Sequence, residues 1–108
     1  MNYKVILTDT AKQDLREIAL WIVSQSADKD TAQRFVNELR SKCDKLSSFP
    51  NVGSLPKDHI LKSLGYRFLV HKEYLIFYLT DDTDKTVQIM SIFNSRQDYV
   101  RVMKRFMI

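Results

Sequence analysis

Cysteine, glycine and proline are all scarce in this chain of 108 residues, which has one, two and two of them. The single cysteine, Cys43, has no internal disulfide partner and points to a reducing compartment. One Cys and two His are too few for a structural zinc site, so no metal is expected. Two Gly and two Pro exclude collagen-like and low-complexity chains and leave few places for a sharp turn. No apolar run approaches the roughly 20 residues of a membrane span. The start has no signal-peptide core, because Val5-Ile6-Leu7 runs straight into Thr8-Asp9-Thr10. A glycine-rich phosphate loop, a nucleophile elbow and metal-spaced Cys or His pairs are all missing, so no cofactor is expected either. The expectation is one small cytoplasmic domain spanning residues 1–108, with no membrane association.

What is present is ordinary globular composition, 44% hydrophobic and 28% charged. For 12.7 kDa, size scaling gives about 6,200 Å² of folded surface against roughly 18,400 Å² unfolded, enough for one core without staples. The net charge of +4 is unevenly placed. Residues 1–50 carry eight Lys/Arg and seven Asp/Glu, a net of +1, whereas residues 51–108 carry nine and six, a net of +3. In the second half Lys57, Lys62, Arg67 and Lys72 face only Asp58, and Arg96, Arg101, Lys104 and Arg105 face only Asp98. That bias suits a polyanion or an acidic protein partner, or else a solvated basic face without a ligand.

Asn2 to Thr8 reads as a strand, rich in β-branched and aliphatic residues. Thr8-Asp9-Thr10 offers helix caps, with Thr10 and Gln13 as a capping box. Ala11, Leu15, Ile18, Ala19 and Ile22 then form an apolar stripe of helical period, widened by Trp21 and Val23. Ser24 to Ala27 reads as a break, and Asp28 or Asp30 caps a second helix with Ala32, Phe35, Val36, Leu39, Cys43 and Leu46 on one face. Phe49-Pro50 ends it, and Asn51 to Leu55 is a loop. Tyr66–Val70 and Tyr74–Leu79 are strands joined by His71-Lys72-Glu73, and the second is apolar on both faces and so belongs inside the sheet. Asp81-Asp82-Thr83-Asp84 turns into a strand from Thr86 to Phe93, and Gln97 to Met107 reads as a short basic helix with Tyr99, Val100, Met103, Phe106 and Met107 at helical spacing. The predicted class is α+β: a two-helix hairpin on a small, mostly antiparallel sheet, in the order β-α-α-β-β-β, with a short C-terminal helix.

Few residues suggest chemistry. Cys43 lies on the apolar helix face and reads as core. His59 lies in a loop and His71 at a hairpin tip, and both read as surface histidines. Arg67 alternates with Tyr66 and Phe68; with those two packed on the helices, Arg67 projects from the sheet's opposite face, shared with Leu69 and His71. Arg96 leaves the last strand nearby and Tyr99 begins the terminal helix. Such a face, with Lys57, Lys62, Lys72, Arg101, Lys104 and Arg105 as further cations, suits bidentate phosphate binding. The structural alternative is an arginine paired with Asp98 or a helix carboxyl end. Phe68, Phe77 and Tyr78 read as core rather than as a platform for stacked bases.

An ordered set of short elements resembles the RelE/ParE superfamily of toxins from type II toxin–antitoxin modules. These are Tyr3-Lys4-Val5-Ile6-Leu7-Thr8 before Ala11 and Asp14-Leu15-Arg16-Glu17-Ile18, Leu-x-x-Phe-Pro-x-x-Gly over 46–53, Gly65-Tyr66-Arg67, Tyr74-Leu75-Ile76-Phe77-Tyr78, and Ile92-Phe93-Asn94-Ser95-Arg96-Gln97-Asp98. The resemblance implies a growth-arresting toxin neutralised by a cognate antitoxin with a largely acidic segment. It also implies one of two targets. RelE-like members cut mRNA in the ribosome, which needs charge stabilisation and proton transfer; Arg67 matches their strand arginine, with Arg96 and Tyr99 as later partners. ParE-like members poison DNA gyrase and need only a binding surface. Lys57 and Lys62 do not match the spacing of the RelE-like basic residues, and the His-Tyr ending of other nuclease members is absent. Arginines clamp phosphate but are poor bases. The hairpin length and Asn94–Asp98 resemble the ParE branch, in which a His commonly stands at the Asn94 position. The expected function is therefore gyrase inhibition, with the ribosome-dependent mRNA interferase as first alternative and a non-catalytic nucleic-acid-binding module as second.

Overall fold

A computed structural model describes residues 2–106. The elements run β1 (Lys4–Leu7), α1 (Asp9–Ser26), α2 (Lys29–Asp44), α3 (His59–Ser63), β2 (Arg67–His71), β3 (Tyr74–Asp81), β4 (Thr86–Asn94) and α4 (Tyr99–Met103). Single 3-10 turns follow at Lys45–Ser47 and Lys104–Phe106. The sheet order is β1-β4-β3-β2, with β1 parallel to β4 and the other pairs antiparallel. The α+β architecture and the interior place of β3 agree with the sequence reading. Met107 lies outside the described residues.

Helix boundaries differ from expectation for local reasons. Thr8, not Thr10, caps α1: its Oγ1 accepts from Ala11 N at 3.2 Å and donates to Ile89 O at 2.7 Å, tying the helix start to β4. Gln13 instead bonds Arg16 and Glu17 along the helix surface. The expected break at 24–27 shrinks to Ala27 and the cap residue Asp28. Ser24 and Ser26 donate back to Trp21 O and Ile22 O and stay in α1; Ala27 turns the chain at φ 56°, and Asp28 follows in extended geometry. α3 was unexpected: Asp58 caps it by accepting from Leu61 N, and Leu61 is fully buried. A five-residue helix shows no periodicity to read.

Side chains alternate across β3, and both of its faces are covered. Tyr74, Ile76 and Tyr78 join Val87, Ile89 and Ile92 under α1 and α2, where Ala11, Leu15, Ile18, Leu39, Cys43 and Leu46 complete one core. Leu75 and Phe77 join Phe93 beneath Leu61 of α3 and Met103 of α4, with Tyr66, Phe68 and Tyr99. A bulge makes the first core possible. The register steps from Phe77 opposite Ser91 to Tyr78 opposite Ile89, leaving Met90 without a partner. Ile89 and Ile92, three apart, thereby reach the same helical layer.

This two-sided covering corrects one expectation. Tyr66 and Phe68 pack against α3 and α4, so Arg67, Leu69 and His71 face the helical hairpin and not an open outer surface. The alternation along β2 agrees with the structure; the face differs, because β3, apolar on both sides, carries no mark of which side the hairpin takes.

Cys43 is core, 2% exposed, and burial pushes its thiol up to about 12. At pH 8 its thiolate fraction is on the order of a thousandfold below that of a free cysteine. A disulfide reagent at that pH is expected to modify Cys43 only as fast as the protein unfolds; rapid stoichiometric labelling of the native protein would contradict the buried placement. Among the described residues no helix is long and apolar enough to cross a membrane, and no group of three or more His, Cys, Asp or Glu can hold a metal ion.

Candidate functional site

Arg67 and Tyr78 are cross-strand neighbours on the hairpin face of β2 and β3. Tyr78 is fully buried; its hydroxyl donates to Pro50 O at 2.8 Å and accepts from Gly53 N at 3.0 Å. Arg67, half-buried, donates from Nη1 to Gly53 O at 2.9 Å. Ser54 then pairs with Phe68 through two backbone bonds of 2.8 and 3.0 Å. The Leu-x-x-Phe-Pro-x-x-Gly stretch is thus docked along the β2 edge by one tyrosine and one arginine. Burial raises the Tyr78 phenol above its ordinary value, opposed by the Gly53 N–H and the nearby Arg67 charge. Both the donor and the acceptor role of that hydroxyl are used by the loop.

Tyr99 lies across the sheet. Its ring stacks on Phe77, centroids 5.6 Å apart, and its hydroxyl accepts from Asp58 N at 3.3 Å. Phe77 and Tyr78 point to opposite faces, so the sheet separates Tyr99 from Arg67. Arg96 is exposed in the turn after β4, its N–H donating to Asn94 Oδ1. The three residues matched to a nuclease mechanism are therefore not assembled on one face. The arginine's partner is a loop carbonyl, not Asp98 or a helix end.

His71 does have a carboxylate beside it, supplied by α2: Nε2 lies 3.0 Å from Glu38 Oε1, and Lys72 Nζ lies 3.1 Å from the same oxygen. Hydrogen bonds from His71 and then Lys72 hold Glu38 below its ordinary carboxyl range. Lys72 occupies the hairpin tip at φ 53°, with Nζ 5.4 Å from the centre of the Phe35 ring. Lys57 and Lys62 are exposed before and on α3, and Arg101 and Lys104 are exposed on and after α4. The candidate cations thus fall in three places: the hairpin face, the α3 region and the C-terminal turn.

Among the described contacts, Arg105 is the C-terminal cation whose side chain is engaged. It donates from Nη2 to Ser91 Oγ at 2.6 Å and lies 3.6 Å from Asp14 Oδ2. Asp14 accepts from Ser91 Oγ at 2.8 Å and from Ile92 N at 2.9 Å, capping the edge of β4 beyond the end of β1. Burial raises the Asp14 carboxyl, opposed by the Ile92 and Ser91 bonds and the Arg105 charge. Asp14, Ile92 and Arg105 line a cleft of about 400 Å³ together with Glu17, Trp21, Tyr74 and Asn94. Asp14, Glu38 and Ser91 had no signal in the sequence, since their partners lie 77, 33 and 14 residues away. Phe77 and Tyr78 are fully buried and offer no stacking platform.

The family described as the ParE toxin of the type II toxin–antitoxin system parDE matches residues 5–99. No curated protein matches in sequence. Among solved structures, the toxin–antitoxin complex RelBE2 from Mycobacterium tuberculosis contains a chain 22% identical at a TM-score of 0.65, the match covering 87% of this chain and 99% of that one. The chromosomal ParDE system from P. aeruginosa matches at 0.71 with 19% identity, over 85% of this chain and 95% of that one. A mutant of the E. coli toxin RelE in the free state matches at 0.63 with 14% identity, over 97% and 98%. These likenesses are of fold; with the family match over nearly the whole sheet-and-helix domain, the chain belongs to the ParE toxin family of type II toxin–antitoxin systems.

Proposed function

We propose that this toxin arrests growth by a ParE-like action on DNA gyrase, as a binding protein without chemistry of its own. The observation that carries the reading is the commitment of Arg67 to the Gly53 carbonyl, beside a tyrosine hydroxyl already used as donor and acceptor. Tyr99, on the far side of the sheet, is out of reach. Phosphodiester cleavage needs a group that takes and gives protons beside the clamped phosphate, and none stands next to Arg67 among its described hydrogen-bond partners. A docking role is supported by large apolar residues exposed along one stretch, Leu55, Ile60, Leu64 and Val70, with Lys57 and Lys62 beside them. The solved RelBE2 and ParDE structures hold toxin with antitoxin. By analogy a cognate antitoxin holds this chain inactive, and the exposed Lys57, Lys62, Arg96, Arg101 and Lys104 suit an acidic segment of it.

The test is a direct comparison of targets. With purified gyrase and supercoiled plasmid, the protein is expected to accumulate cleaved DNA complexes, while ribosome-bound mRNA stays intact. Codon-positioned mRNA cleavage without trapped DNA, abolished by Arg67→Ala in a folded protein, would overturn the reading in favour of the RelE-like alternative.

A further inference from the structure

Lys12 and Arg16 stand one turn apart on α1, about 6 Å along its axis, and both are exposed. Two open grooves meet beside them. One lies between α1 and α2 and is lined by Lys12, Arg16, Gln33, Asn37 and Arg40; the other runs down to the edge of β1 and is lined by Lys4, Lys12, Arg40 and Asp44. Lys12 and Arg40 line both, so the two grooves adjoin along these cations and together form a basic trough region across the hairpin and the sheet edge.

The charges in this trough are not neutralised from within. The ion pairs among the described residues join His71 and Lys72 to Glu38 and Arg105 to Asp14; none involves Lys4, Lys12, Arg16 or Arg40. Arg16 bonds only a neutral partner, the Gln13 Oε1. Asp44 is the single carboxylate among the described lining residues. Four cations converging on one carboxylate repel one another unless an external anion offsets them. The first half of the chain carries almost no net charge in sequence, so this concentration is a product of folding. The lining also selects the kind of anion. It has no aromatic ring on which an unpaired base can stack. The large exposed apolar residues, which a protein partner would use as anchors, lie elsewhere, at Leu20, Trp21, Phe49 and beyond.

We infer that the α1–α2–β1 trough binds the phosphate backbone of duplex DNA, through Lys4, Lys12, Arg16 and Arg40. The choice of DNA over RNA rests on the gyrase reading, which places the toxin beside a DNA duplex. The contact is sequence-independent and salt-dependent, because each neutralised phosphate releases counterions. It lies apart from Arg67, which occupies the other end of the hairpin face.

Fluorescence anisotropy with a labelled 20-base-pair duplex, titrated across salt, tests this without gyrase. Four phosphate contacts give a slope of log K against log salt near −3.6, from about −0.9 per contact. Lys12→Ala/Arg16→Ala/Arg40→Ala is expected to flatten that slope by about 2.7 and to weaken binding more than tenfold at low salt. Lys29→Ala/Arg34→Ala/Lys45→Ala removes equal charge from exposed sites outside the trough and is expected to leave the slope in place. Equal loss in the two triples would reduce the effect to net charge and overturn the site, as would no measurable binding. Tighter binding of a duplex RNA of the same sequence would overturn the choice of DNA. All six positions are exposed, and circular dichroism is the check that the variants fold. Since the readout contains no gyrase, failure here leaves the plasmid-cleavage test standing, and failure there leaves this one interpretable.

Discussion

Phe77→Ala is expected to destabilise the protein by about 3–5 kcal/mol, the largest loss of any single substitution considered. Phe77 is fully buried at the centre of β3, one of the two interior strands of the sheet. Its ring is flanked by Phe93 at 5.5 Å, nearly parallel at 8°, by Phe68 at 5.2 Å and by Tyr99 at 5.6 Å, with the Tyr66 edge at 6.5 Å. Removing it opens a cavity that four rings from β2, β4, α4 and the approach to β2 cannot fill by rotamer changes alone. The helices on this face are five residues each, too short to stand without the ring they cover. In urea, with a slope of about 1–3 kcal/mol per molar, the midpoint is expected to fall by about 2 M, with α4 lost first. Phe77→Leu, which fills most of the space, is expected to cost less than half as much. A loss below about 1.5 kcal/mol for the alanine variant would mean that this aromatic stack is not a core.

The contrast between what was legible and what was not follows the range of the interactions. Strand and helix periods depend on neighbours in sequence, so the hairpin with its Ala32–Leu46 face and the all-apolar β3 could be read directly. The family resemblance rested on the same short elements, and the family match over 5–99 agrees with it. The site depended on contacts with no local signature. Arg67 is held by a backbone carbonyl, a group that every residue has, and Glu38 reaches His71 only after α2 crosses the sheet. The unpaired Met90 lets Ile89 and Ile92 share a face, which strict alternation forbids. The trough at Lys12 and Arg40 was invisible for the same reason: its cations lie in the half of the chain that is nearly neutral in sequence, and only the antiparallel packing of α1 on α2 brings them together.

Gly53→Ala is expected to cost about 2–4 kcal/mol, from overpacking and from hydrogen bonds lost with it. The reason is space, not backbone freedom. A Cβ at this position would stand 2.6 Å from the Tyr78 hydroxyl, 2.8 Å from its Cε1 and 2.9 Å from the Phe68 carbonyl oxygen. The tyrosine ring is fully enclosed and the carbonyl belongs to β2, so neither gives way easily. The loop must lift instead, parting Gly53 N from Tyr78 Oη, Tyr78 Oη from Pro50 O, and Arg67 Nη1 from Gly53 O together. Tyr78→Phe breaks the first two of these bonds without any clash and is expected to cost about 1–3 kcal/mol. Combining the two substitutions tests the mechanism. With the hydroxyl gone the worst overlap is relieved, and the bonds it made are lost only once, so the double variant is expected to fall short of the sum by about 1 kcal/mol or more. Urea unfolding of the four proteins gives that coupling. Additive losses would mean that Gly53 and Tyr78 act independently, and that Arg67 is positioned by something other than the loop they hold.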